Sequence, residues 1–571
     1  MKAPYFSNLL KVAALCQASA LFFSATAQAG LVVDTSSREQ SRVFYNAIYP
    51  ASQNISTGWT GSVAGSNPGT TSDAFKARVF LRVNFFRAFA GLPAGVTNNP
   101  SWSTMDQSAA LMMSANGAVD HTPPTSWKCY STPGATAAGK SNLSLSNYGS
   151  DAISGYMEDP GSVNAPVGHR RWILYPETQQ MGTGDVPANG SNYSANALWT
   201  LDLNHYADER PEVRDGFVAW PPKGFVPYQL VYPRWSFSYP EGDFSSASVS
   251  VTRNNVSIPV SVQSRMQGYG ENTIVFVPNN LNPDAWSGPV KPADDTVYHV
   301  TVSNVGVGGL PQTFSYNVIA FDPASAGSDT PDFAINGSYT PTVGADNGYT
   351  VAEQTLATGY QWKISMKAAY TTVVGAESTA GVDMRGTARD SRVRAVGRYS
   401  YHLTHPRFTE SSFVLQTPVL CTGTTKLNFS SRLTYATGYE AGTVEVSTDG
   451  GSQWTPVWSQ RGRNNAGERA FAKRSVSLAA YNGREVKVRF RYALRQGSAY
   501  TQTNTGVGWY VDNVSFTSGQ KLVGTTVSEV SPTPEFNFHP NVAGAYLLQV
   551  RSQVFDSYYS DWSMTKPVSA Q

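Results

Sequence analysis

The chain has 571 residues, a formal net charge of +2 and only 14% charged side chains. That balance excludes the basic stripe a nucleic-acid partner requires, and at about 150 residues per domain the length predicts three or four domains. The 49 glycines, 34 prolines and 12% aromatic residues match turn-rich extracellular β-modules.

Lys2 precedes an apolar stretch from Leu9 to Phe23 that closes on Ala27-Gln28-Ala29. This is the pattern of a secretory signal, residues 1–29, cut after Ala29. Leu15 stands where lipid attachment at Cys16 would need Gly or Ala, so no lipid anchor is read. No later run of about 18 apolar residues exists, so no membrane span is expected. The location read is extracellular, with the periplasm as the alternative. Cys129 and Cys421 are then two buried thiols or one interdomain bridge; a disulfide framework is excluded by count.

Residues 30–71 read as a Ser/Gly/Thr-rich extension with one periodic segment, Val43 to Ile48. Ser72 or Asp73 caps a helix with Phe75, Val79, Val83, Phe86 and Ala90 on one face; Arg78 and Arg82 lie off that stripe, and Gly91 and Pro93 end it. A second helix starts at Ser103 with Asp106 as its capping-box partner, carries Ala109, Ala110 and Met113, and stops at Gly117. A third begins at Asp151 and carries Ile153, Tyr156 and Met157.

Beyond about Asp202 the pattern becomes one of short alternating strands. "SSASVSVTRNNVSIPVSV" predicts a hairpin around Asn254-Asn255, within a β-sandwich over 205–325. Residues 326–370 and 521–571 each hold about half an immunoglobulin- or fibronectin-like sandwich, with Tyr546, Leu548 and Val550 alternating; neither half buries a core alone. We expect them to pair around an inserted domain, 371–520; two unrelated small domains is the alternative. The turn "VSTDGGSQW", from which we expect Asp449 to Gly451 to join two strands tightly, and the terminal "GWYVDNVSF" give the insert its resemblance to jelly-roll modules of secreted bacterial adhesins, peptidases and carbohydrate-binding proteins. Trp454 and Trp509 read as core rather than as ligand platforms.

Residues 72–204 carry an ordered set of short motifs. Asn84 and Arg87 lie in helix one, His121 follows helix two, "GKSN" comes next, then "YMED", "GHRRWIL" and the pair Gly182, Gly184. In that order they resemble the CAP superfamily of SCP-like extracellular proteins. The resemblance implies an α-β-α sandwich whose cleft holds two histidines and two acids, with a divalent metal on the histidines in some members. Carried over by position, the cleft residues are His121, Ser141, Glu158 and His169, with His121 and His169 as ligands for zinc or another divalent ion. Asp159 competes with Glu158, and Ser141 replaces the family's glutamate. A serine nucleophile with His121 as base and Glu158 as orienter is the reactive reading of that set; a serine bonded to nearby backbone is the structural one. For His121 and His169 the bland alternatives are a loop residue at a helix exit and a helix-start residue bonded to backbone. Arg170 and Arg171 are expected on the outer face or paired with acids; the "HLTH" pair, His402 and His405, is read as structural.

The expected architecture is multidomain α+β: a CAP-like α-β-α sandwich followed by all-β sandwich and jelly-roll domains. The expected function is that of a secreted bacterial interaction protein for an extracellular lipid, peptide or glycan. A metal-assisted secreted peptidase with Glu158 as base is the alternative, and an envelope protein with a vestigial cleft is a third reading.

Overall fold

The computed structural model describes residues 30–571 except 207, 280, 282, 284–287, 326–332, 355, 405–409, 449, 498–503 and 556–557. The signal segment 1–29, His405 and Asp449 therefore lie outside the described residues. The chain is multidomain α+β and falls into two units, Met1–Ser325 and Ala326–Gln571.

The first unit opens with helix α1 (Arg38–Ala51), where the sequence suggested only an extension; Ser37 caps it, and Phe44, Ala47 and Ile48 are buried. Its partner is α2 (Asp73–Phe89), capped by Ser72, whose Oγ accepts the Phe75 amide at 3.2 Å. Phe44 stacks on Phe85 at 5.4 Å. Arg82 is fully buried despite lying off the apolar stripe. It donates to Ser52 Oγ at 2.8 Å, the Tyr49 carbonyl at 2.8 Å and Ser154 Oγ at 2.6 Å, so the end of α1 together with Ser154 satisfies the donors that burial strips of water.

Helix α3 (Pro100–Asn116) begins earlier than Ser103. Asn99 Oδ1 accepts from the amides of Ser101 and Trp102, Pro100 takes the first turn, and Gly117 closes the helix at φ 62°. Asp106 thus falls inside the helix and is no capping-box partner. Helices α4 (Thr132–Ala138), α5 (Gly149–Glu158) and α6 (Gly168–Ile173) follow.

Strands β1 (Thr97–Asn98), β2 (Ser141–Leu145), β3 (Gln180–Val186) and β4 (Ala195–Trp199) form one sheet in the order β1-β3-β4-β2, parallel only between β1 and β3. Helices α3 and α4 cover one face, where Ala109, Ala110, Ala137, Ala195 and Ala197 make a core of small side chains. A Cβ on Gly184 would meet the Asp106 carbonyl carbon at 2.1 Å, and one on Gly182 would meet Trp102 Cβ at 2.7 Å. The two glycines therefore let α3 lie directly on β3. Helix α5 packs on the other face, where the Tyr156 hydroxyl donates to Asn196 Oδ1 at 2.8 Å.

Between Asp202 and the end of the first unit the chain forms a four-stranded and a five-stranded sheet. The Ser248–Arg253 and Val256–Ile258 strands pair through Asn254 and Asn255, both left-handed (φ 49° and 66°), as an Asn-Asn turn allows. Residues before α1 join this sandwich: the Phe225 amide donates to the Thr35 carbonyl at 2.7 Å, and Arg38 pairs with Asp295 at 2.8 Å.

In the second unit the strand Ala357–Ala369 pairs antiparallel with Gly544–Val554 and with Gln520–Val527. Trp362, Leu548 and Val550 are fully buried in the shared core. The intervening residues form a sandwich around Phe413, Phe490 and Trp509. Trp509 is fully buried, its indole N–H on Ser431 Oγ at 2.9 Å, whereas Trp454 is half-buried under Arg489. His402 is buried, with Nε2 on the Val507 carbonyl at 2.7 Å. Cys421 is buried and Cys129 half-buried, both as free thiols.

Candidate functional site

His169 sits in the first turn of α6, where α5 and β2 converge on it. Asp159 ends α5 in the left-handed region (φ 57°, ψ 54°), a conformation an Asp tolerates, and this turns its carboxylate back toward α6. That carboxylate accepts the His169 amide on Oδ2 at 3.1 Å and His169 Nδ1–H on Oδ1 at 2.7 Å. The acceptor places a proton on Nδ1, and Nε2 is the ring nitrogen outside this bond. The Tyr156 ring stacks on the imidazole at 5.2 Å, and Asn142 Nδ2 donates to the His169 carbonyl at 3.0 Å. The Asp159 side chain is fully buried, while the imidazole keeps 24% of its surface exposed.

His121 is exposed beyond α3, and its Nδ1 donates to the Ala138 carbonyl at 2.8 Å, leaving Nε2 free here too. The segment 138–142 thus holds both histidines, His121 by its ring and His169 by its backbone. Ser141 lies on this segment but faces the other way. Successive residues of a strand point to opposite faces, and with Asn142 turned to His169, Ser141 is turned to α3. It is 5% exposed, with Oγ 2.7 Å from Asp106 Oδ1 and 2.7 Å from the Ala137 carbonyl.

Asp106 is completely buried, and burial pushes its carboxyl well above the usual range; the hydrogen bonds from Ser141 and from the Trp199 amide at 3.0 Å only partly oppose this. Ser141 has one hydroxyl proton and two acceptors within reach, the Asp106 carboxyl and the Ala137 carbonyl. A second buried acid, Asp185, accepts from the Gly149 amide at 2.6 Å and from Asn196 Nδ2 at 2.8 Å, and burial raises it as well.

Glu158 is half-buried, and burial raises its carboxyl against the opposing charge of Arg170. Its charge acts on Tyr232 of the neighbouring sandwich. Of the two adjacent acids, Asp159 is the one hydrogen-bonded to His169. Arg170 and Arg171 are not on an outer face: they are 1% and 7% exposed. Arg170 donates to the carbonyls of Met157 at 2.6 Å and Arg234 at 2.9 Å, and Arg171 to that of Gly268 at 2.8 Å. They fasten α6 to the sandwich, and burial lowers both guanidinium pKa values to about 10.

A histidine ligand is commonly backed through its second nitrogen, and both imidazoles are. A resident zinc centre needs at least three protein ligands. Among the described residues no group of three His, Cys, Asp or Glu is placed to hold an ion.

Residues 80–203 match the family model described as the cysteine-rich secretory protein family, CAP, and are a CAP domain. None of the curated proteins matches the chain. Among solved structures the chain is similar to a xylan-binding domain from CBM 22 (11% identity, 28% of this chain and 98% of that one, TM-score 0.18). It is also similar to the C-terminal family 22 carbohydrate-binding module of Clostridium thermocellum Xyn10B (11%, 28% and 96%, TM-score 0.18) and to TmCBM61 in complex with β-1,4-galactotriose (16%, 26% and 87%, TM-score 0.16). Superposition this partial says nothing of what the chain binds.

Proposed function

We propose that this protein, with residues 80–203 a CAP domain, works outside the cell as a binding protein. The CAP domain offers His169 and His121 to an extracellular ligand, and the β-domains engage surfaces or glycans. One observation carries this reading: the polar groups around His169 are committed to holding it in place. Asp159 fixes the ring, Asn142 the backbone, and Ser141 is turned to α3 and engaged there. What is left for a ligand is a partly exposed imidazole with a free Nε2, a recognition group without an adjacent nucleophile. The word secretory in the matched family's description agrees with the extracellular setting.

The test is a binding profile of the chain from residue 30 against a glycan array, phosphatidylcholine–cholesterol vesicles and a peptide library. The expected result is saturable binding to one class, weakened about tenfold or more by His169→Ala, as for a central contact. Equal binding by the variant would remove the CAP domain as the ligand site, and binding to none of the three would overturn the proposal.

A further inference from the structure

In the second unit the two sheets of the inserted sandwich part along one edge. Among the described residues the strand Thr455–Arg461 pairs only with Glu440–Ser447, and Ala472–Ser477 only with Lys426–Leu433, so each is an edge of its sheet there. Between them lies a groove of about 430 Å³, crossed by the connection "GRNNAGERAF". Trp458 is its aromatic floor: half-buried, stacked on Trp509 at 5.8 Å and edge-on to Phe429 at 5.3 Å. Trp509 and Phe429 fix the indole, and the Arg474 guanidinium lies over its ring at 5.8 Å from the centroid on the groove's lining.

The walls are polar and basic. Gln460 and Asn465 offer amides that both donate and accept. Arg474 pairs with Glu468 and donates to Gln460 Oε1 at 3.1 Å, yet its Nε is buried without a hydrogen-bond partner. Arg461 and Arg463 also line the groove and are exposed, and among the described residues neither side chain has an ion pair or hydrogen bond. Arg469, on the same connection, is exposed as well. Glu468 is the groove's one carboxylate and is already taken by Arg474. The neighbouring loop exposes Tyr435 (38%) and Tyr439 (55%).

We infer that this groove binds an acidic saccharide, a chain containing uronic acid residues. An indole face takes the C–H face of a sugar ring, side-chain amides take its hydroxyls in both directions, and unpaired guanidiniums take its carboxylates through paired N–H donors. A uronic acid chain presents all three surfaces, flat apolar, hydroxyl and carboxylate, on one ligand. A nucleic acid would use the same arginines, but the chain's net charge of +2 offers no extended track for a phosphate backbone. The inference concerns the inserted sandwich alone and stands or falls independently of His169.

The experiment titrates the chain from residue 30 with polygalacturonate, with neutral xylan and with duplex DNA at matched ionic strength. The expected result is polygalacturonate binding at least about tenfold tighter than either control, and a loss of about tenfold or more in Arg461→Gln/Arg463→Gln, two exposed positions that the fold does not use. Trp458→Phe, checked for folding by circular dichroism, weakens binding while leaving the salt dependence unchanged. No binding to polygalacturonate, unchanged affinity in the double variant, or DNA bound as tightly as the saccharide would each overturn the inference.

Discussion

Asp106 gives the sharpest handle on the interior of the CAP domain. It is buried without a cation beside it, and its Oδ1 faces a serine whose only hydroxyl proton has a second acceptor. Its folded-state pKa lies above the unfolded value of 3.8, so the native fold prefers the protonated form. The group's contribution is therefore full below the unfolded pKa and is lost as pH rises through the folded value. Asp106→Asn copies the protonated carboxyl: its oxygen accepts the Trp199 amide, and its NH2 donates to Ser141. We expect it to match or exceed the wild-type denaturation midpoint near neutral pH, with an advantage that grows from acid to neutral pH. Asp106→Ala instead strands the Trp199 amide, at about 1–3 kcal/mol, and opens a cavity beside Ser141, for a total of about 4 kcal/mol. That lowers the melting midpoint by on the order of 10 °C. Calorimetry of the full chain across pH, with hydrogen exchange of β4 to assign the transition, measures both variants. Asp106→Asn as damaging as Asp106→Ala, or a pH-independent difference from wild type, would refute the reasoning.

Gly184→Ala sets a Cβ 2.1 Å from the backbone of α3 and should destabilise the first unit by about 3 kcal/mol or more, read from its denaturation midpoint; an unchanged midpoint would contradict the close packing of α3 on β3. Arg170→Met leaves the Met157 and Arg234 carbonyls unpaired and should cost about 2–4 kcal/mol, together with faster amide exchange in α6. Burial pushes the Cys421 thiol up to about 11, so a thiol reagent at about pH 8 should titrate Cys129 first in the native chain from residue 30 and both thiols only after unfolding.

Much of the α+β architecture was legible because it rests on local signals. The Ser72 cap, the left-handed Gly117 and the Asn254-Asn255 turn are each written in a few adjacent residues. The alternation of Tyr546, Leu548 and Val550 marks a buried face by its period alone. The order of short motifs around His121 and His169 carried the CAP resemblance, and Gly182 and Gly184 gain a physical reason in the approach of α3. What escaped the sequence depends on partners far along the chain. Arg170 and Arg171 read as surface cations because their acceptors are neutral, mostly backbone carbonyls with the Ser236 and Thr273 hydroxyls, and lie partly far along the chain, which no charge pattern announces. Helix α1 hid in a polar stretch, its stability coming from Phe85 and Arg82 of α2. Glu158 and Asp159 are adjacent acids, and only the fold shows that Asp159, closing α5 in the left-handed region, is the one bonded to His169. Asp106 had a plausible local role, and only the tertiary fold shows that Ser141 claims it.

The account's central claim is that the CAP domain recognises rather than cleaves. The most direct measurement is turnover of fluorescein-labelled casein and of p-nitrophenyl acetate by the chain from residue 30, with Ser141→Ala and Glu158→Gln beside it and zinc supplied. The account predicts no turnover above background in any of the three proteins. Wild-type turnover abolished by Ser141→Ala or by Glu158→Gln would contradict it.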